Sequence, residues 1–169
     1  MSPPGNPADG VARSVLIVDD DAALVEIFSD HFRNWGYEIE VAPDGVQAIK
    51  KIVTRNYSLV LCDIVMPNVA GDLFYLAVSR ARPELCDRFL FMSGHTHHPK
   101  VEAFMRCVNG TILIKPFKAE ALKEAIDQLE HLPKQSRATH AELAALLGFE
   151  GSTTEFIYRT SGQKPTPQQ

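Results

Sequence analysis

Val15-Leu16-Ile17-Val18 is an unbroken apolar run that stops abruptly at Asp19-Asp20-Asp21. A run with no polar alternation offers no face to water. It suits a strand covered on both sides, as in a parallel sheet with helices above and below. Four further stretches read as strands, at 37–41, 58–62, 88–92 and 111–114. Each is separated from the next by enough chain for one helix and two loops.

The intervening segments carry helical spacing. Leu24, Ile27, Phe28, Phe32 and Trp35 repeat at three and four, and Gly36 closes the pattern. Asp44 reads as the cap of a second helix with Val46, Ile49, Ile52 and Val53 inward. Leu73, Leu76 and Ala77 mark a third helix, ending before Pro83. Val101, Phe104, Met105 and Val108 mark a fourth, and Leu122, Ile126 and Leu129 a fifth that Pro133 stops. Five strands alternating with five helices predict an α/β domain, a doubly wound five-stranded parallel sheet, over 13–132. Residues 1–12, rich in Pro, Gly, Asn and Asp, read as a flexible arm. The extension 133–169 is expected to hold one short helix and then a disordered end. Thr139 and Glu142 have capping-box spacing, Leu143, Leu146, Leu147 and Phe149 form an apolar stripe, and Gly148 closes it. Phe156, Ile157 and Tyr158 form a second apolar knot.

Of 169 residues, 45% are hydrophobic and 22% charged, which is enough apolar material for a packed core. The net charge of −4 argues against non-specific nucleic-acid binding and against a basic membrane patch. Cys62, Cys86 and Cys107 have neither disulfide nor zinc spacing and fit a reducing compartment. The start of the chain lacks the features of a secretory signal, and no apolar run could span a bilayer, so a cytoplasmic location is expected.

In an open α/β sheet, ligands gather at the carboxyl ends of the strands, where strand order reverses. The first strand ends in Asp19, Asp20 and Asp21, the third in Asp63, the fourth in Ser93-Gly94 and the fifth in Lys115-Pro116-Phe117. Taken singly, each aspartate is a helix cap or a turn residue, Ser93 a loop hydroxyl and Lys115 a solvated charge. Those readings leave unexplained why all of them follow different strands of one sheet. Clustered carboxylates repel and are tolerated around a cation or a lysine. A hard divalent ion with oxygen ligands, Mg²⁺ above all, fits such a cluster.

The motifs Val-Asp-Asp-Asp at 18–21, Cys-Asp-Ile-Val-Met-Pro at 62–67 with Gly71 beyond, Met-Ser-Gly at 92–94 and Ile-Lys-Pro-Phe at 114–117 occur in this order. Together they resemble the receiver domain of two-component response regulators, over roughly 14–131. A stand-alone, chemotaxis-regulator-like member is the nearest form. The resemblance implies a flavodoxin-like sheet of receiver type. It implies that Asp63 is the phosphoacceptor, with Asp19, Asp20, Asp63 and the backbone carbonyl of Val65 as Mg²⁺ ligands and Mn²⁺ as a substitute. It further implies that Lys115 and Ser93 contact the phosphoryl oxygens and that the Lys115–Pro116 bond is cis. Asp21 is read as the cap of the first helix. The implied donor is a sensor histidine kinase. The protein would be no enzyme in the turnover sense, catalysing only its own phosphorylation and dephosphorylation.

Two features depart from the family pattern or lie beside it. Many receivers carry an aromatic residue three positions before the lysine; here it is Ile112. His95, His97 and His98 follow Ser93-Gly94 without the spacing of a closed metal site and read as a solvated loop, with His95 beside the path of an attacking water. Cys62 should point away from Asp63 into the core. The extension has one more basic than acidic residue and no basic recognition face, so DNA binding is not expected of it. The output is then a switch in partner binding or in self-association to a homodimer, through a downstream protein that the sequence does not name. Alternatively the chain is a phosphorelay shuttle to a histidine phosphotransfer protein. An Mg²⁺-dependent phosphohydrolase is the reading from another class. Val65 stands against it, occupying the place where dehalogenase-like phosphatases want a second acid. The aspartates would likewise repel the phosphate of a flavin.

Overall fold

The first strand, β1 (Ser14–Val18), is buried along its whole length, and its side chains alternate between two separate cores. Leu16 and Val18 enter one, Val15 and Ile17 the other. This is the pattern expected of an apolar run with helices on both sides. The structure is a computed structural model, and it describes residues 13–66, 68–94, 99–108, 111–131 and 139–148.

β1 pairs in parallel with β2 (Glu38–Ala42) on one side and β3 (Leu59–Asp63) on the other. β4 (Phe89–Ser93) and β5 (Thr111–Ile114) extend the sheet to the order β2-β1-β3-β4-β5. The chain steps out to β2 and then crosses back over β1 to β3. The carboxyl ends of β1 and β3 therefore flank the crevice where the winding reverses.

Helices α1 (Ala22–Asn34) and α5 (Ala119–His131) cover one face, closing Phe28, Phe32, Leu122 and Ile126 over Val15, Ile17, Leu61 and Met92. Helices α2 (Gly45–Ile52), α3 (Gly71–Ala81) and α4 (Pro99–Val108) cover the other, over Leu16, Val60, Cys62, Phe89 and Phe91. Asp21 caps α1 by accepting from the amides of Ala23 and Leu24 at 3.0 and 3.2 Å. Asp44 caps α2 by accepting from that of Gln47 at 2.9 Å. Gly36 ends the α1 turn at φ +80°, a conformation open to glycine at little cost.

Three strands begin and end one residue later than the apolar pattern suggests. Tyr37 still belongs to the end of α1, its amide bonded to the Phe32 carbonyl at 3.0 Å, so β2 starts at Glu38. Residues Pro83–Arg88 form a 3₁₀ helix that the sequence reading lacks, which moves the start of β4 to Phe89. At the other end the shift brings Asp63 and Ser93 onto the sheet ladder, paired with Met92 and Ile114. Ile27 is a further correction: it is 51% exposed. It lies about 100° round the helix from Phe28, off the Leu24–Phe28–Phe32 face that meets the sheet.

The extension contributes α6 (His140–Leu146), which begins in a complete Thr139/Glu142 capping box. Gly148 follows at φ +65°. α6 lies across α3 and α4. Leu143 is 1% exposed and joins the core that holds Tyr75 and Phe104, with Ala144 and Leu147 packed at its margin. No described helix is long and apolar enough to cross a membrane. The expectations for residues 1–12, Pro67, His95, His97, His98, Phe149 and the knot at 156–158 fall outside the described residues.

Candidate functional site

The carboxyl edge of the sheet brings together groups that are far apart in the chain. Asp19 directly follows β1 and is 2% exposed, and Asp63 ends β3 at 7%. Asp20 is exposed at the mouth, and carboxylate oxygens of all three lie within 4.8 Å of one another. Lys115 follows β5 and reaches across the edge. Its Nζ donates to Asp19 Oδ2 and to Asp63 Oδ2, each at 2.7 Å. Its own amide donates to the Ser93 carbonyl at 2.9 Å, so the lysine is anchored to the end of β4. The Lys115–Pro116 bond is cis.

Two backbone amides complete the frame. The Asp21 amide donates to Asp19 Oδ1 and the Val65 amide to Asp63 Oδ1, both at 2.9 Å. These bonds orient the carboxylates by local turns and leave the Asp20 side chain with no hydrogen bond among the described residues. Ser93 is fully buried at the end of β4, and Val65 is 47% exposed beside Asp63. The Ile64 amide bonds the Met92 carbonyl at 2.9 Å, tying the loop after Asp63 to the strand that ends in Ser93.

Burial pushes the Asp63 carboxyl above its ordinary range, against the bonds from Lys115 and from the Val65 amide. Nearby Asp19 acts in the same direction as burial. For Lys115, burial works against the ammonium, but the hydrogen bonds to Asp19 and Asp63 outweigh it and raise its pKa. The lysine stays charged. One ammonium among three carboxylates leaves two negative charges uncompensated, all on hard oxygen donors. That donor set fits a divalent cation of the Mg²⁺ type.

Every described residue expected at the site is therefore at this edge. Asp21 is placed apart by its capping role, and Cys62 points into the opposite core, where burial raises its thiol pKa well above the ordinary value. Ile112 is partly buried against that same core. What the motifs do not reveal is the tightness of the support behind Asp63. Gly71 opens α3 with its amide on the Ile64 carbonyl at 3.0 Å. A Cβ there would lie 2.9 Å from Ile64 Cα and closer still to the Asp63 carbonyl oxygen. Asn68, at φ +64°, places its amide 3.5 Å from Asp44, a contact that no spacing in the sequence suggests.

Comparisons with known proteins agree with this geometry. The chemotaxis regulator CheY4 of Vibrio cholerae is 28% identical with a TM-score of 0.63, covering 70% of this chain and 99% of that one. TrrA of Thermotoga maritima, solved in complex with Mg²⁺-BeF, is 26% identical with a TM-score of 0.61, covering 69% and 98%. Among curated relatives, transcription factor SKN7 of Saccharomyces cerevisiae is 32% identical over 108 residues, 64% of this chain and 17% of SKN7. The transcriptional regulatory protein ZraR of Salmonella typhimurium is 28% identical over 144 residues, 82% of this chain and 31% of ZraR. The sensor protein EvgS of Escherichia coli O157:H7 is 29% identical over 136 residues, 79% of this chain and 11% of EvgS. The chain thus spans between about a tenth and a third of the length of these curated relatives. The family model described as the response regulator receiver domain matches residues 15–127. On its sheet order, its acidic edge and this match, the chain belongs to the receiver domain family of two-component response regulators.

Proposed function

We propose that Asp63 is the phosphoacceptor and takes its phosphoryl group from the phosphohistidine of a sensor histidine kinase. One observation carries the reading: Asp63 is a buried carboxylate bridged by Lys115 to Asp19, with Asp20 at the mouth of the same cluster. In the transfer, an Asp63 carboxylate oxygen forms a bond to phosphorus as the P–N bond of the phosphohistidine breaks. The electron pair of that bond stays with the imidazole nitrogen. The chain's part is positioning and charge stabilisation. The Val65 amide orients the carboxylate, the Lys115 ammonium meets one phosphoryl oxygen, and the Ser93 hydroxyl is assigned a second. Mg²⁺, or Mn²⁺ in its place, bound by Asp19, Asp20, Asp63 and the Val65 carbonyl, would neutralise charge on the phosphoryl oxygens. The acyl phosphate carries about two negative charges where one stood, which is a sufficient local cause for a shift between conformations.

The full-length chain, incubated with Mg²⁺ and acetyl phosphate, is expected to gain the mass of one phosphoryl group. The gain should be removed by hydroxylamine and absent in Asp63→Asn. An unmodified native chain, or the same gain in Asp63→Asn, would overturn the assignment.

A further inference from the structure

α6 straddles α3 and α4, and α3 starts directly against the site. α3 opens at Gly71, bonded to the Ile64 carbonyl directly after Asp63 and in close contact with it. α4 is the helix that follows β4, the strand ending in Ser93. Among the described residues, α4 lies beside α6. Beneath them, the Phe104 ring of α4 stands edge-on to Phe91 of β4 at 5.2 Å and to Tyr75 of α3 at 5.7 Å. Leu143 joins this same core.

A polar contact fixes the other end of α6. The Ser79 hydroxyl of α3 donates to the Leu76 carbonyl at 2.7 Å and shares a hydrogen bond of 3.0 Å with His140 Nδ1. α6 is therefore seated by its first residue, His140, on α3 and by Leu143 on the α3–α4 core.

We infer that α6 is an intramolecular clasp coupled to Asp63: it holds α3 and α4 in the arrangement described above, and phosphorylation of Asp63 loosens it. The inference rests on the phosphoacceptor reading. A segment that makes its contacts with one arrangement stabilises that arrangement by its differential affinity for it. A phosphoryl group on Asp63 adds volume and charge where α3 and the end of β4 meet. Any resulting displacement of α4 against α3 loses α6 contacts. Linkage makes the coupling reciprocal, so unseating α6 must also favour the phosphorylated state. Released, α6 would expose Leu143, Ala144 and Leu147, an apolar stripe available to a partner.

The test follows backbone amide exchange of 139–148 in the full chain, before and after Mg²⁺ and acetyl phosphate, with phosphorylation scored by intact mass. The resting chain should protect these amides, and the phosphorylated chain should protect them about fivefold less or weaker still, the lower end of ordinary site-to-site coupling. Leu143→Gln should remove the protection and raise the ratio of phosphorylated to unphosphorylated chain by a similar factor. Leu146→Gln, on the exposed side of α6, should do neither. Unprotected amides at rest would overturn the clasp. So would equal protection in a chain shown to be phosphorylated, or a Leu143→Gln ratio equal to that of the native chain, and in these cases the phosphoacceptor reading would stand. A chain that gains no phosphoryl mass would overturn that reading and the coupling with it.

Discussion

The two faces of the sheet bury similar apolar strands, but they are completed differently. The α1/α5 face is closed by two thirteen-residue helices, one following β1 and the other following β5. The α2–α4 face is closed by shorter helices and is completed by α6, a seven-residue helix from beyond α5. Both faces carry helices that begin near the acidic edge: α1 starts from Asp21 on the first, and α3 opens against Asp63 on the second. They differ in that the second is completed by a helix from outside the strand–helix succession. On the clasp inference, that added helix is the part that leaves while the sheet stays folded.

That contrast can be broken by experiment. Phe32 is fully buried on the α1/α5 face, with its ring 5.2 Å from Tyr37 and 5.5 Å from Trp35. Phe32→Ala should cost about 3–5 kcal/mol in urea unfolding, because a ring-sized cavity is left between helix and sheet. Leu143→Ala should instead leave the main urea transition nearly in place and lose exchange protection within 139–148 alone. A shared loss across the whole domain would show that α6 is a structural part of the core and would erase the distinction between the faces.

Gly71→Ala should fall next, at about 1–3 kcal/mol of overpacking, since its Cβ meets the backbone of Ile64 and Asp63 and not the end of a movable side chain. Its phosphoryl gain from acetyl phosphate should fall as well, because Asp63 would be displaced. Normal stability and normal phosphorylation together would show that the approach of α3 to Asp63 has no consequence.

The smallest expected effect is one of pH. Burial first, then the charge of Arg80, lower the pKa of His140 from its ordinary 6.5, against a bond to the Leu76 carbonyl. Between the lowered value and 6.5 the free α6 binds a proton that the docked one does not. Docking is therefore fully present above 6.5 and weakens as pH falls below it. Protection of 139–148, taken relative to intrinsic exchange at each pH, should fall over that window, and His140→Gln should remove the dependence. Protection that does not change with pH would separate His140 from the docking of α6.

Much of this was legible in the chain. The unbroken run at 15–18 requires helices on both sides of a strand, Asp21 and Asp44 announce helix starts, and the Thr139/Glu142 pair announces α6. The aspartates, Ser93 and Lys115 end their strands, and strand ends on one edge of a parallel sheet must converge. What escaped were features set by competition between neighbours. Tyr37 carries a strand-forming side chain, but the end of α1 takes its amide. Ile27 keeps helical spacing, yet it stands about 100° round the helix from Phe28, and the sheet meets the face of Leu24, Phe28 and Phe32.

The sequence by itself determined the layers, the strand succession and the identity of the charged edge, because each rests on local periodicity and on residues that neighbours in the chain already orient. Only the tertiary structure decided that Lys115 bridges Asp19 and Asp63, that Gly71 has no room for a side chain, and that α6 lies on α3 and α4. An amphipathic helix carries its own apolar stripe but not the address of the groove that will bury it; that depends on which surface the rest of the fold leaves open.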